Sequence, residues 1–289
     1  MLRMNANTPK TDGLSGEDWS GAMGERWLAH LDQFESMIAP AGEALLVHAA
    51  FAAGERVLDV GCGGGATSQA VARCVGPQGQ VLGLDLSARL VAEATRRAQG
   101  AGLGTLQFMT ADATTAQPPG APFDRLLSRF GTMFFADPPQ AFRNLGSLVR
   151  PGGRADLLVW APAKENEWIS KLMGILRSHV DVPQPPPGTP GPFSLDDPAL
   201  LRGLLEGAGF NPVTFTRWHG VQRIGGAGSD PARAARFVFD GMSFGALLAE
   251  QPAAVREAAE AEILALLTAH HTPRGVEMGA STWLVTARR

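Results

Sequence analysis

The sequence predicts an α/β protein: a doubly wound, seven-stranded and mostly parallel sheet with an inserted helical cap. Three observations carry this. Short apolar runs alternate with helical patterns of roughly 10 to 15 residues, which implies βαβ units and a sheet covered on both faces. A glycine cluster, Gly61-Cys62-Gly63-Gly64-Gly65, stands where the first apolar run passes into a helix. Aspartates, Asp85 and Asp112, close the next two runs.

The elements follow in order. Trp27, Leu28, Leu31, Phe34 and Ile38 recur at helical spacing, so Trp19 to Ala53 reads as one or two helices, with Pro40 and Gly42 breaking the pattern. Arg56 to Val60 is the first strand, and Ala66 to Val75 the helix after the glycines. Val81 to Leu84 is a second strand closed by Asp85. Ser87 then caps the helix Ala88 to Gln99, which Gly100 and Gly102 end. Leu106 to Thr110 and Arg125 to Ser128 are the third and fourth strands. Asp137-Pro138-Pro139 opens a helix as an N-cap followed by proline, and Arg154 to Trp160 is the fifth strand. Further on, Trp168 to His179 is an amphipathic helix, and Val182 to Pro192 is proline-rich and irregular. Pro198 to Gly209 is a helix, Val213 to Trp218 a sixth strand, and Gly225 to Gly228 a hinge. Helical stretches Pro231 to Leu248 and Pro252 to His271 precede a closing strand, Ser281 to Ala287.

This gives an N-terminal helical cap segment (1–53), a ligand-binding α/β core (54–160) and a cap insertion (161–197). A core helix and strand (198–224), a second helical cap insertion (225–272) and the closing strand (273–289) complete the chain. Ligands of open α/β sheets bind at the carboxyl ends of the strands, so the cap segments are expected to gather there.

Composition narrows the function. A net charge of -3, without a long basic run, argues against a nucleic-acid partner. Cys62 and Cys74 make no disulfide framework, and no Cys/His spacing suits zinc, so no metal is expected and a reducing cytoplasm is. Met1 to Ser15 lacks the apolar core of a signal peptide, and no run is long enough to span a membrane. With no tyrosine in the chain, mechanisms that need a phenol are excluded.

Glycines at a strand-to-helix turn adopt unusual dihedrals and let a ligand approach the backbone, where the next helix offers free N–H groups. The residues also fit a dinucleotide pattern, Gly61-x-Gly63-x-x-Ala66 with Asp85 further on, so an NAD-dependent oxidoreductase is one reading. Against it, the Asp59 carboxylate beside the loop would repel a pyrophosphate. A short-chain dehydrogenase would also need the missing tyrosine.

The strings Val57-Leu-Asp-Val-Gly-Cys-Gly-Gly-Gly65, Gly83-Leu-Asp85-Leu-Ser87, Ala111-Asp112-Ala113, Ser128-Arg-Phe-Gly131 and Leu148-Val-Arg-Pro-Gly-Gly153 together resemble the class I S-adenosylmethionine-dependent methyltransferases. Within that family the chain is similar to bacterial small-molecule enzymes of the quinone C-methyltransferase type. The resemblance covers roughly Ala53 to Trp160 and implies a Rossmann-like core, S-adenosylmethionine as cofactor and S-adenosylhomocysteine as product. A catalytically silent S-adenosylmethionine-binding module is the alternative from another class.

On that resemblance, Asp85 accepts from both ribose hydroxyls and Asp112 from the adenine amino group, with Leu86 and Ala113 flanking the ring. Gly61, Cys62 and Gly63 form the turn on which the methionine portion lies, Asp59 helps to hold its ammonium, and Ser128 meets the same portion with its backbone. Asp137-Pro-Pro139 resembles an adenine-methylating motif, but Gln140 replaces the aromatic, so a helix cap is the better account. Trp27, His30, Phe130, Met133, Phe134, Trp160 and Trp168 are candidates for an apolar, partly aromatic acceptor pocket. No catalytic residue is assigned. His30, His48, His179, His219, His270 and His271 are the available bases, with His30, His179 and His219 best placed. The acceptor atom and oligomeric state are not encoded in any motif.

Overall fold

A computed structural model describes residues 19–186, 188–242 and 244–289. The polar start, Met1 to Ser15, lies outside the described residues, as does the first part of the N-terminal cap segment. Helices α1 (Ala22–Ala29) and α2 (Leu31–Ala49) lead into β1 (Arg56–Val60), α3 (Ala66–Val75), β2 (Gln80–Asp85), α4 (Ala88–Gly100) and β3 (Leu106–Thr110). Then come β4 (Phe123–Arg129), α5 (Pro138–Ser147), β5 (Val149–Trp160), α6 (Glu167–His179), α7 (Pro198–Gly207) and β6 (Val213–Ile224). Helices α8 (Pro231–Asp240), α9 (Phe244–Leu248) and α10 (Ala253–Ala269), the two-residue β7 (His271–Thr272) and β8 (Gly275–Arg288) complete it.

The strand order is β3-β2-β1-β4-β5-β8-β6, with β7 paired to β8. Strands β1 to β5 are parallel, and β8 is antiparallel to both β5 and β6. From β1 the chain winds outward through β2 to β3, then returns and winds the other way through β4 to β5. Right-handed crossovers in opposite directions place α3 and α4 on one face and α5 on the other. Residues on both sides of the central strands are therefore buried: Val57, Leu58, Leu127, Leu158 and Val159 have no exposure. The switch in winding direction lies between β1 and β4, which is where such sheets open a ligand crevice.

Several boundaries differ from the sequence reading, each for a tertiary reason. Pro40 does not break α2. A proline inside a helix forfeits one hydrogen bond, but Met37, Ile38, Ala41 and Leu45 are all buried and hold the helix on the sheet. Strand β6 continues to Ile224 because β8 begins at Gly275 and pairs along its whole length. Gly225 to Gly228 is a fastened turn, not a hinge: Gly226 N–H donates to the Arg223 carbonyl, Gly228 N–H to Arg274, and Ala227 N–H to the Ser36 hydroxyl. The stretch read as one helix from Pro231 to Leu248 divides into α8 and α9. The caps at Ser87 and Asp137 are as read, accepting from Leu90 N–H and Gln140 N–H.

Below the strands' amino ends, Arg125 and Asp156 form a buried ion pair of 2.7 Å. Arg125 also binds Glu55 and the Ala49 carbonyl, and Asp156 binds Arg154 and Thr286. This network joins the end of α2 to β4, β5 and β8.

Candidate functional site

The crevice forms where the tips of β1 and β4 meet. Gly61 has φ +70°, and a Cβ there would sit 2.7 Å from the Gly131 Cα, so the two tips touch through glycine backbones. Phe130, a bulky residue with φ +62°, turns the chain into that contact, its N–H donating to the Leu158 carbonyl. Left-handed backbone at such a residue is strained and persists where surrounding structure enforces it. Gly61 thus serves strand packing, whereas Gly63 faces open space. At φ +53° its missing side chain would meet only the Trp27 indole nitrogen, 3.8 Å away.

Asp85 ties the loop to β2. One carboxylate oxygen accepts from Gly63 N–H at 2.8 Å and the other from Ser87 N–H at 2.9 Å. Burial raises its pKa, opposed by these backbone hydrogen bonds. Each oxygen keeps lone-pair capacity for another donor. Leu86, immediately beyond, is 36% exposed, a large apolar side chain left uncovered beside a polar acceptor. Asp112 lies exposed beyond the tip of β3, one oxygen accepting from Thr114 N–H, while Ala113 behind it is buried. Asp85 and Asp112 stand on neighbouring strand tips, since Asp85 pairs with Thr110 and Ala111 N–H donates to the Asp85 carbonyl.

Asp59 is buried behind the loop, where Ser68 donates to it at 2.6 Å. Burial pushes its pKa up to about 6, opposed by the Ser68 hydrogen bond and by Arg129. Cys62 is buried too, and the ideal Cβ position on Gly83 lies 3.0 Å from its Sγ. Burial holds the thiol well above its usual range. The Ser128 hydroxyl is committed to the Val60 carbonyl at 2.7 Å, which fastens β4 to β1 and leaves only its backbone near the crevice.

Helices α1 and α2 lie over the loop. Gly24 on α1 packs against the Trp19 carbonyl and the Ser87 hydroxyl, which sets α1 on the tip of β2. Leu31 and Glu35 on α2 press on Gly64. Trp27 stacks on Phe34 at 4.1 Å, Phe34 meets Phe237 edge-on at 4.8 Å, and Trp19 bridges Trp27 and Phe134.

The residues expected to line an acceptor pocket therefore divide. Trp27 stands over the loop, and His30 lies near it, 3.0 Å from Gln33 and against Phe237. Phe130, Trp160 and Trp168 instead form a buried aromatic series with Phe193, beginning with Phe130 stacked on Trp160 at 4.3 Å. Met133 is 1% exposed. Of the other histidines, His48 is 3.0 Å from Thr286, His179 pairs with Glu262, and His270 with Glu167. His219 and His271 lie exposed on β6 and β7. Sequence reading gave no site role to Glu35, to Phe34, which it placed in the helical pattern, or to Arg129, which lies in the Ser128-Arg-Phe-Gly131 string. Position was the signal that could have found them: Leu31, Glu35 and Gly42 share a helical stripe, and Arg129 ends β4.

Residues 57–153 match the family model described as a methyltransferase domain. The chain is 35% identical over 115 residues to aklanonic acid methyltransferase DauC of Streptomyces sp. strain C5, covering 40% of this chain and 52% of that protein. It is 34% identical over 116 residues to nocamycin O-methyltransferase of Saccharothrix syringae, covering 40% and 41%. The chain thus matches about half the length of these curated relatives. A solved structure of the YcgJ protein from Bacillus subtilis shares the fold, with TM-score 0.55 and 18% identity over 86% of this chain and 98% of that one.

The chain carries a class I S-adenosylmethionine-dependent methyltransferase domain. The methyl donor of that family suits the crevice by two structural tests. Gly63 leaves a cradle that a side chain would fill, and the buried Glu35 Oε1 beside the loop has no hydrogen-bond partner among the described residues. Among the described residues of this methyltransferase domain and its flanking segments, no helix is long and apolar enough to cross a membrane.

Proposed function

We propose that this protein methylates a small, hydrophobic or aromatic organic acceptor, with S-adenosylmethionine bound along the glycine loop and the tips of β2 and β3. The observation that carries the reading is Asp85. It is a buried carboxylate that orders the Gly63 turn, keeps acceptor capacity, and stands beside the uncovered Leu86. A ligand with a vicinal diol next to a flat ring suits that pair.

The residue roles proposed are those that the resemblance implies. Asp85 accepts from the ribose hydroxyls, Leu86 and Ala113 flank the adenine, and the free oxygen of Asp112 accepts from its amino group. Gly61, Cys62 and Gly63 shape the turn beneath the methionine portion, Asp59 supplies negative charge behind it, and Ser128 borders it with backbone. Bound there, S-adenosylmethionine supplies an electrophilic methyl group, and its in-line transfer asks the protein for alignment and exclusion of water, not for an acid. Trp19, Trp27, Phe34 and Phe134 provide the apolar cover. His30, at the edge of that aromatic group, is the nearest candidate to take a proton from an acidic acceptor. The curated relatives named for aklanonic acid and nocamycin favour a small organic acceptor. The reading also places the protein in the cytoplasm, with no metal or nucleic acid required.

The test is release of S-adenosylhomocysteine on a panel of quinones, phenols, polyketides and polar amines. Turnover of an apolar cyclic member supports the proposal. Turnover confined to polar amines removes the acceptor class, and cofactor binding without any turnover points to a silent module.

A further inference from the structure

Among the described residues, two opposite charges near the glycine loop and the tip of β4 are left incompletely paired. Glu35 on α2 gives one oxygen to Arg97 at 2.7 Å, while its other oxygen, Oε1, is buried and makes no hydrogen bond. That free oxygen is 2.8 Å from where a side chain on Gly64 would begin, so it abuts the glycine loop. Arg129, the last residue of β4, crosses beneath α2 and occupies the space that Gly42 leaves, its Cδ 3.1 Å from where a Cβ there would stand. Among the described residues no carboxylate forms an ion pair with it. Glu35 and Asp59 act on it only from farther off, and burial lowers its pKa. Its side chain is half-buried against α2.

A guanidinium and a carboxylate oxygen left unpaired in an enclosed space are costly unless a ligand completes them. Their separation matters as much as their charge. Had they been made for one another they would be in contact, because an unscreened pair gains most at the shortest distance. Held apart beside a loop with open backbone, they complement a molecule bearing both charges. Arg129 presents a planar fork suited to a carboxylate, and Glu35 Oε1 a single acceptor suited to an ammonium.

We infer that Arg129 and Glu35 recognise the zwitterionic amino-acid end of the cofactor, Arg129 taking the α-carboxylate and Glu35 Oε1 the α-ammonium. This rests on the reading that the crevice binds S-adenosylmethionine, and it adds a consequence of its own. Glu35 belongs to α2 and is shared with Arg97 of α4, so the subsite would draw on residues of the helix that lies over the loop as well as on a strand tip.

Calorimetric titration of the intact chain with two ligands tests it. S-adenosylhomocysteine carries the amino-acid end, and 5′-methylthioadenosine has the same nucleoside and thioether without it. The wild type binds the first more tightly. Arg129→Met lowers S-adenosylhomocysteine affinity at least tenfold and leaves methylthioadenosine within twofold, and Glu35→Gln does the same to a smaller degree. Equal losses for both ligands, or no loss for either, overturn the inference. Should Arg129→Met not fold, Glu35→Gln, which keeps shape and an oxygen for Arg97, decides by the same ratio. A wild type that binds neither ligand refutes the cofactor reading itself, and unaltered selectivity in the variants refutes only these two assignments.

Discussion

Replacing Asp59 by asparagine isolates the cost of a charge buried behind the glycine loop. Asp59 is 1% exposed, and burial moves its pKa from 3.8 to about 6. Each tenfold change in proton affinity is worth about 1.4 kcal/mol, so the protonated form favours folding by about 3 kcal/mol relative to the ionised one. A raised folded-state pKa contributes stability that is fully present below the unfolded value and is lost as pH rises through the folded one. The window is therefore pH 3.8 to about 6, and about 2 kcal/mol of the loss falls between pH 4.5 and 7.5. Glu93 and Glu167, held near about 2 by Arg96 and Lys171, act in the opposite sense and only below 4.5. Asparagine cannot ionise, yet its oxygen still accepts from Ser68. Urea unfolding followed by tryptophan fluorescence should show the two proteins converging at acid pH, with Asp59→Asn more stable by about 2 kcal/mol or more at pH 7.5. Parallel curves across that range refute the reasoning. The same variant should bind S-adenosylhomocysteine less tightly, so that function is what retains the costly charge.

Asp85→Ala should weaken S-adenosylhomocysteine binding by at least tenfold in calorimetry, because it removes the acceptor and frees the Gly63 and Ser87 N–H groups it holds. Unchanged affinity would place the ribose elsewhere. Gly61→Ala should cost at least about 2 kcal/mol in denaturant unfolding, since a Cβ there enters the Gly131 backbone. Gly63→Ala should cost only about 1 kcal/mol yet reduce ligand affinity more, and the reverse order would contradict the division of labour between the two glycines. Asp156→Ala should destabilise by roughly 3 to 5 kcal/mol, leaving the buried Arg125 without its closest partner. A change below about 1 kcal/mol would show the network to be replaceable.

The ligand loop was legible because its chemistry is local. A turn from strand to helix that needs φ near +70° and +53° is written as glycine, and Ser87 and Asp137 mark helix starts by hydrogen bonds that reach only three residues along the chain. The succession of strands along the chain, and the acids at their ends, follow from the same short-range periodicity. The acceptor candidates were less legible. Phe130, Trp160 and Trp168 look alike in sequence whether they line a pocket or pack together, and only the fold puts them in one buried stack.

Local propensity indicated that these strands, helices and the glycine turn exist, though not where each ends, since existence depends on residues a few positions apart. Tertiary structure decided whatever depends on partners far along the chain. It keeps α2 continuous through Pro40, carries β6 to Ile224 alongside β8, and brings Glu35 and Arg129, 94 positions apart, within electrostatic reach of one another. Neither charge reveals its purpose in sequence, because a surface glutamate and an enclosed one are the same letter. What separates them is whether water or protein surrounds the side chain.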